Sequence, residues 1–315
     1  MVSNPNGVFR LGLVGAGRMG QTHLRALKDS SDVVVVAVAE PVDSLRENVV
    51  ASFGLRGHSS VRELLDAGGI DGALIVTPSD SHVEVIRQVT EAKLPILCEK
   101  PCGVSAADTR TAQRFVTDAG VALQIAYWRR FVPQLQAIRT RIVDGEFGEV
   151  LSLSCLQWDG EPPSAAFRAR SGGIFVDMGV HEFDQARWLT GGNFTRLAAS
   201  ASTTITDPDV RDDPDSVQVL AELDNGATAF VSLGRHNAGG DMASVEVFGT
   251  RDHVLEVFLD PNDGEATQLD ALRRQASAFA RYAKGSPCEG ATVEDAIAAL
   301  EAATDATNAK MRVLP

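Results

Sequence analysis

Long apolar runs are missing from this 315-residue chain. Stretches such as 33–39 and 72–76 fall far short of the roughly 20 apolar residues that span a bilayer. The first residues show no basic segment followed by an apolar one, so no secretory signal is expected. Basic residues are in deficit, 29 Lys and Arg against 42 Asp and Glu, for a net charge of -13. Nucleic-acid and anionic-membrane partners, which draw on clustered Lys and Arg, are thereby excluded. Cysteine is scarce: Cys98, Cys102, Cys155 and Cys288 show no CxxC pair and are expected as reduced, buried thiols, not as metal ligands or disulfides. Low-complexity tracts and internal repeats are absent too. With 44% hydrophobic residues the chain can fill two domain cores. A cytoplasmic globular protein acting on a small molecule is expected.

The first third alternates β-branched runs with helical patterns. Strands are expected at 9–14, 33–39, 71–76, 95–98 and 122–126, with helices at 19–29, 45–53, 60–67, 81–92 and 106–119. Runs apolar on both faces, alternating with helices, indicate an α/β doubly wound Rossmann sheet of parallel strands. After about residue 127 the pattern changes. A helix at 134–144 precedes extended segments at 150–158, 195–206, 216–223, 228–235 and 244–249, and Asp224-Asn225-Gly226 is a hairpin signal. This half is expected as an α+β domain with a large, mainly antiparallel open sheet. The boundaries expected are 1–126 and 127–315, the final helix 292–310 packing back on the rest.

Residues 11–20 read LGLVGAGRMG, with Gly15, Gly17 and Gly20 in GxGxxG spacing between a strand and a helix. Gly15 suits a tight turn, Gly17 close approach of a pyrophosphate, and Gly20 close helix–strand packing. The helix start, with Arg18 and Met19, offers free N–H groups to phosphate. Glu40, twenty residues past Gly20, stands where an acid accepts hydrogen bonds from an adenosine ribose, which favours NAD over NADP. Arg46 is a nearby cation that weighs the other way.

Two further strand ends bring chemistry to the same edge. Thr77-Pro78-Ser79, with His82 following, is expected to line the cofactor. Cys98-Glu99-Lys100-Pro101 places Glu99 to pair with Lys100 or touch the cofactor, and Lys100 to hydrogen-bond a substrate oxygen. Downstream, SGGIFVDMGVHEFD puts Asp177, His181 and Asp184 at i, i+4 and i+7 of an expected helix 174–188. A histidine flanked by carboxylates suits a general base. A structural salt link or a metal pair has the same spacing, and no metal is expected. The acidic stretch 207–215 reads as a solvated loop.

Together the VGAGRMG loop, TPSDSH, CEKP, the stretch SGGIFVDMGVHEFDQARW and Trp128-Arg129-Arg130-Phe131 resemble the Gfo/Idh/MocA family of sugar and polyol oxidoreductases. Within it they are similar to the inositol 2-dehydrogenase form. The resemblance spans essentially the whole chain and implies an NAD-dependent dehydrogenase, with a catalytic trio of Lys100, Asp177 and His181 and a homo-oligomer, tetramer or dimer. Lys100 then hydrogen-bonds the reacting oxygen, His181 takes its proton and Asp177 supports His181. For substrate contacts the expectation falls on Arg129 over Arg130, and on Asp159, with His236 and Tyr282 behind them. Myo-inositol is the first substrate. The alternatives are an aldose or other sugar, a redox-neutral NAD-dependent glycosidase, and a non-catalytic NAD-binding regulator. Glu40 departs from the aspartate more usual in the family.

Overall fold

The computed structural model describes residues 7–205 and 213–309. The chain divides into two compact units. One runs up to Trp128 and takes in Leu269–Ala296, and the other comprises Arg129–Gln268 and the chain from Ile297.

The first unit alternates β1 (Phe9–Val14), α1 (Arg18–Leu27), β2 (Val33–Ala39), α2 (Asp43–Phe53), β3 (Arg56–His58), α3 (Val61–Ala67), β4 (Gly72–Ile75), α4 (His82–Glu91), β5 (Ile96–Cys98), α5 (Ala106–Ala119) and β6 (Leu123–Ile125). All six strands pair in parallel, in the order β3-β2-β1-β4-β5-β6. Strands this apolar need helices on both faces. Local chemistry stops and starts those helices. Ser60 and Ser105 cap α3 and α5 by accepting from Glu63 N and Asp108 N, and Gly54 and Gly120 end α2 and α5 in left-handed backbone. The strand order reverses between β1 and β4. The carboxyl ends of those two strands form the crevice where open α/β sheets bind ligands.

The second unit contains α6 (Pro133–Val143), β7 (Val150–Trp158), α7 (Ala165–Arg168), a π-helical turn at Phe175–Gly179, α8 (Val180–Thr190), β8 (Phe194–Ser202), β9 (Ser216–Leu223), β10 (Thr228–Gly234), β11 (Met242–Gly249) and β12 (His253–Leu259). Its six-stranded sheet has the order β12-β11-β7-β10-β9-β8 and is antiparallel except for the parallel pair β7–β10. α8 packs on β7 and β10. On the opposite face one row crosses all six strands, Ala198–Leu220–Phe230–Ser154–Glu246–Leu255, and leaves Leu220 64% and Leu255 58% exposed.

Both sheets are wider than expected. β3 was not foreseen, because its three residues lie half or fully exposed at an edge and carry no apolar signature. β12 was not foreseen either, since it bears Leu255 and Val257 on the exposed face and so blurs the alternation. The expected strand 195–206 ends at Ser202, and residue 206 lies outside the described residues. The last two helices are α9 (Gly264–Ala283) and α10 (Val293–Asn308). The domain division needs correcting: residues 269–296 join the first unit instead of staying with 127–315. The reason is apolar packing. Phe279 meets Phe9 edge-to-face with centroids 5.8 Å apart, Ala276 and Ala280 join the core beside Leu11 and Val33, and Ile125 bridges to Ala291. No helix among the described residues is long and apolar enough to cross a membrane.

Phe279→Ala should destabilise the first unit by about 3–5 kcal/mol, the usual cost of emptying a buried aromatic site. Urea unfolding with and without NAD reads it: the NAD-protected transition should move to lower denaturant, and an unmoved midpoint would refute the placement of α9 in that core.

Candidate active site

The glycine-rich loop joins β1 to α1 at the crevice. Its three glycines differ in what demands them. A Cβ on Gly15, whose φ is +99°, would lie 2.8 Å from Val76 O, and one on Gly20 would lie 2.4 Å from Gly15 O. Both glycines are required by the chain's own close packing. Gly17 is different: its backbone is extended (φ −66°, ψ −168°), and a Cβ there would meet nothing within 4 Å. The space in front of Gly17 and the first turn of α1 is therefore open. No side chain caps that turn and no acid stands in it. Free N–H groups at a helix start with the dipole behind them suit a pyrophosphate. Glu40, 7% exposed at the end of β2, accepts from Ala16 N (2.8 Å) and Val42 N (3.0 Å). A carboxylate has about four acceptor sites, so those bonds aim Glu40 and leave it able to accept a ribose diol. Arg46 donates to Glu40 O (2.7 Å) and pairs with Asp43, so its guanidinium is engaged locally. The residues present thus fit NAD.

The ends of β4 and β5 are tied together by a buried histidine. His82 Nδ1 lies 2.8 Å from Pro101 O and Nε2 lies 2.8 Å from Thr77 O. Burial pulls this imidazole below its ordinary pKa, opposed by the two carbonyls. With both nitrogens engaged, His82 clasps the two loops instead of lining the cofactor as expected. Ser81 Oγ donates to Thr77 Oγ1 (2.8 Å), and Lys100-Pro101 is a cis peptide. Glu99 also has partners other than those expected. Its Oε1 lies 2.7 Å from Nε2 of the fully buried His23 on α1, and its Oε2 accepts from Lys100 N (3.1 Å). Burial raises the Glu99 carboxyl, but the His23 bond, His23 charge and Lys100 outweigh it and hold the group below the ordinary carboxylate range. His23 stands 76 residues from Glu99, and no sequence spacing announces the pair. The Lys100 side chain is half-buried at this loop, and Pro78 and Ser79 lie at the strand end beside it, exposed and half-buried.

In the second unit, the expected helix 174–188 is two elements. Gly172 and Gly173, at φ +83° and +81°, turn the chain into the π turn carrying Asp177, and His181 follows in the first turn of α8. Asp177 Oδ2 accepts from Arg235 Nη1 (2.7 Å). Arg235 is fully buried just past β10 and also reaches Asp213 (3.2 Å), which accepts from Arg168 Nε (2.6 Å) and Ile174 N (2.8 Å). Arg235, Asp213 and Arg168 were not foreseen. Asp213 corrects the reading of 207–215 as a solvated loop: it is 7% exposed, and Asp215 accepts from Thr204 N and Ile205 N. The rest of that stretch lies outside the described residues.

The remaining expectations change as well. Asp184 does not share a face of free carboxylates with Asp177. It is gripped by Arg130, through Nε (2.9 Å) and Nη2 (2.5 Å). Arg129, expected to reach substrate, is 4% exposed and bonds Glu182, Gln185 (3.3 Å) and Gln157 (2.5 Å). α8 is buried over 180–186, so its acids require these arginines. Gln157 in turn donates to Asp159 (2.8 Å). Burial pushes the Asp159 carboxyl above its ordinary range, with Asp241 and Asp177 adding to it against the Gln157 bond. Asp159 therefore belongs to the Asp177 neighbourhood. His236 lies 3.9 Å from Asp215, and Tyr282 packs against the first unit's core.

Comparison with known proteins adds to this geometry. A profile described as an oxidoreductase family with an NAD-binding Rossmann fold matches residues 9–127, and a GFO/IDH/MocA C-terminal domain profile matches 135–254. The chain is 47% identical to the rhizopine catabolism protein MocA of Rhizobium meliloti, covering 97% of this chain and 96% of that one. It is 33% identical to an inositol 2-dehydrogenase of Rhizobium meliloti strain 1021, over 84% and 80% of the two chains. The crystal structure of a myo-inositol dehydrogenase from Corynebacterium glutamicum superposes with a TM-score of 0.87 at 25% identity, covering 96% of each chain.

The glycine assignment is separable by two variants. Gly17→Val should leave thermal stability within about 0.5 kcal/mol, as for an open surface site, and weaken NAD binding at least about tenfold, or 1.4 kcal/mol. Gly20→Ala should cost about 1–3 kcal/mol of stability through overpacking. Calorimetric NAD titration and melting curves check both, and unimpaired binding in Gly17→Val would remove the pyrophosphate from that loop.

Proposed function

Because the chain belongs to the GFO/IDH/MocA family of NAD-binding oxidoreductases, we propose that it oxidises one ring hydroxyl of a cyclic polyol of the inositol class to the ketone. The chain is an NAD-dependent dehydrogenase acting on CH–OH groups. The observation that carries the substrate class is the Asp177–His181 turn at the head of α8, in a chain aligned over 84% of its length with an inositol 2-dehydrogenase. Bound NAD supplies the hydride acceptor.

The chain's own residues do the rest. In the first unit Gly17 and the start of α1 hold the pyrophosphate, and Glu40 accepts from the ribose. Lys100, on a loop fixed by the His82 clasp and the Glu99–His23 pair, donates to the reacting oxygen as its carbonyl forms. In the second unit His181 accepts the hydroxyl proton, and Asp177 favours the resulting imidazolium. Asp159 reads a further hydroxyl. A second reading rests on the 47% identity to the rhizopine catabolism protein, which aligns over nearly the whole of both chains. It keeps the chemistry and takes as substrate a compound of rhizopine catabolism.

Incubating the protein with NAD and a panel of myo-inositol, scyllo-inositol, rhizopine and aldoses tests this, with NADH followed by absorbance. NADH should accumulate with an inositol. Turnover of rhizopine or an aldose alone would overturn the substrate, and silence across the panel would overturn the class. Lys100→Ala and His181→Ala should each lower kcat by about 10²–10⁴-fold, the usual weight of a proton-transfer group, with NAD still bound. Near-normal rates in either variant would remove that residue from the reaction.

A further inference from the structure

Arg235 is fully buried just past β10. Its two terminal nitrogens end on two carboxylates, Asp177 (2.7 Å) and Asp213 (3.2 Å), and its Nε has no hydrogen-bond partner among the described residues. A guanidinium taken wholly out of water is retained only where opposite charge meets it. Asp213 is itself fixed from two further sides, by Arg168 Nε and by Ile174 N at the entry to the π turn. The chain Arg168–Asp213–Arg235 thus fastens one oxygen of Asp177 from behind, and His181 stands one helical turn further on.

We infer that Arg235 is the positioning residue of Asp177, and that through Asp177 it holds down the proton affinity of His181. The inference rests on the roles given above to Asp177 and His181. Other charged groups around this centre include Asp213 and Arg168 behind it, Asp159 after β7, Asp241 before β11, and Glu182 within α8 with its partner Arg129. Asp159 is already raised by burial and by these neighbouring acids. Arg235 is a fully buried cation in direct contact with Asp177. Without it the carboxylate acts undiluted on the imidazolium, and His181 loses its proton only at higher pH.

In the protein with ¹⁵N-labelled histidine, the His181 resonance is assigned by its loss in His181→Asn and titrated by NMR. Arg235→Met should raise the His181 midpoint by about one pH unit, tenfold in proton affinity. Arg235→Lys, which keeps the charge without the fork, should raise it by less. In turnover the acidic limb of kcat should move up by the same amount while NAD affinity holds. A folded Arg235→Met protein whose His181 midpoint and acidic limb both stay at the wild-type position would overturn the inference. A parallel loss of kcat at every pH would mean that Arg235 only holds the fold. Should the wild type oxidise no polyol, the NMR midpoints still decide the matter.

Discussion

A charge removed from water has to be met by an opposite charge or by aimed hydrogen bonds, and the second unit is organised around that constraint. α8 and the turn before it carry Asp177, Glu182 and Asp184 among largely buried neighbours, and each acid is met by its own arginine: Arg235, Arg129 and Arg130. Such pairs contribute little to stability compared with apolar packing, whereas losing one partner costs several kcal/mol. Their consequence is geometric. The acids differ in depth, with side-chain exposures of 0% for Glu182, 2% for Asp184 and 12% for Asp177. Two are sealed and hold α8 to its neighbours, and Asp177 keeps some exposure. Burial leaves the Glu182 carboxyl above its ordinary range even beside Arg129, as befits a group with no water to turn to.

The first unit meets the same constraint mainly with backbone. Glu40 is satisfied by two amides, His82 by two carbonyls, and Glu99 by an amide and one histidine. These bonds tie together the carboxyl ends of β1, β2, β4 and β5, so the loops bearing Gly17 and Lys100 are fixed before any ligand arrives. Preorganisation of this kind spares a binding site the cost of ordering its loops at the moment of association. The glycines show the division of labour. Gly15 and Gly20 answer to contacts within the chain, and Gly17 answers to open space.

Legibility in the sequence follows from how far each interaction reaches. The glycine loop, the parallel strands of the first unit and the capped helices are encoded within a few residues, and local spacing reveals them. β3 escaped because three half-exposed edge residues bear no period. The return of 269–296 to the first unit escaped because a helical pattern shows that a helix forms, not that Phe279 will rest on Phe9. The site behaves likewise. Asp177 and His181 stand out by their spacing, but Arg235 lies 58 residues from Asp177, and Arg130 lies 54 from Asp184. A lone arginine at a strand end has the same appearance whether it ends in solvent or on a buried acid. Arg129 drew attention through its sequence neighbours and proves to be held by Glu182, Gln185 and Gln157 instead.

This difference in reach also separates the two units. The glycine loop and the amides around Glu40 take their placement from strand, turn and adjoining helix, so local spacing reveals them. Around Asp177 the polar groups come from separate elements: Asp159 after β7, Asp241 before β11 and the buried Arg235 after β10. Gly160 N, donating to Asp241 (2.7 Å), joins two of those loops directly. The pairs Arg129–Glu182 and Arg130–Asp184, which hold α8, lie on residues other than Asp159 and Asp241. One set of buried charge pairs thus holds α8, while the polar groups at the Asp177 turn are supplied from loops on three other strands.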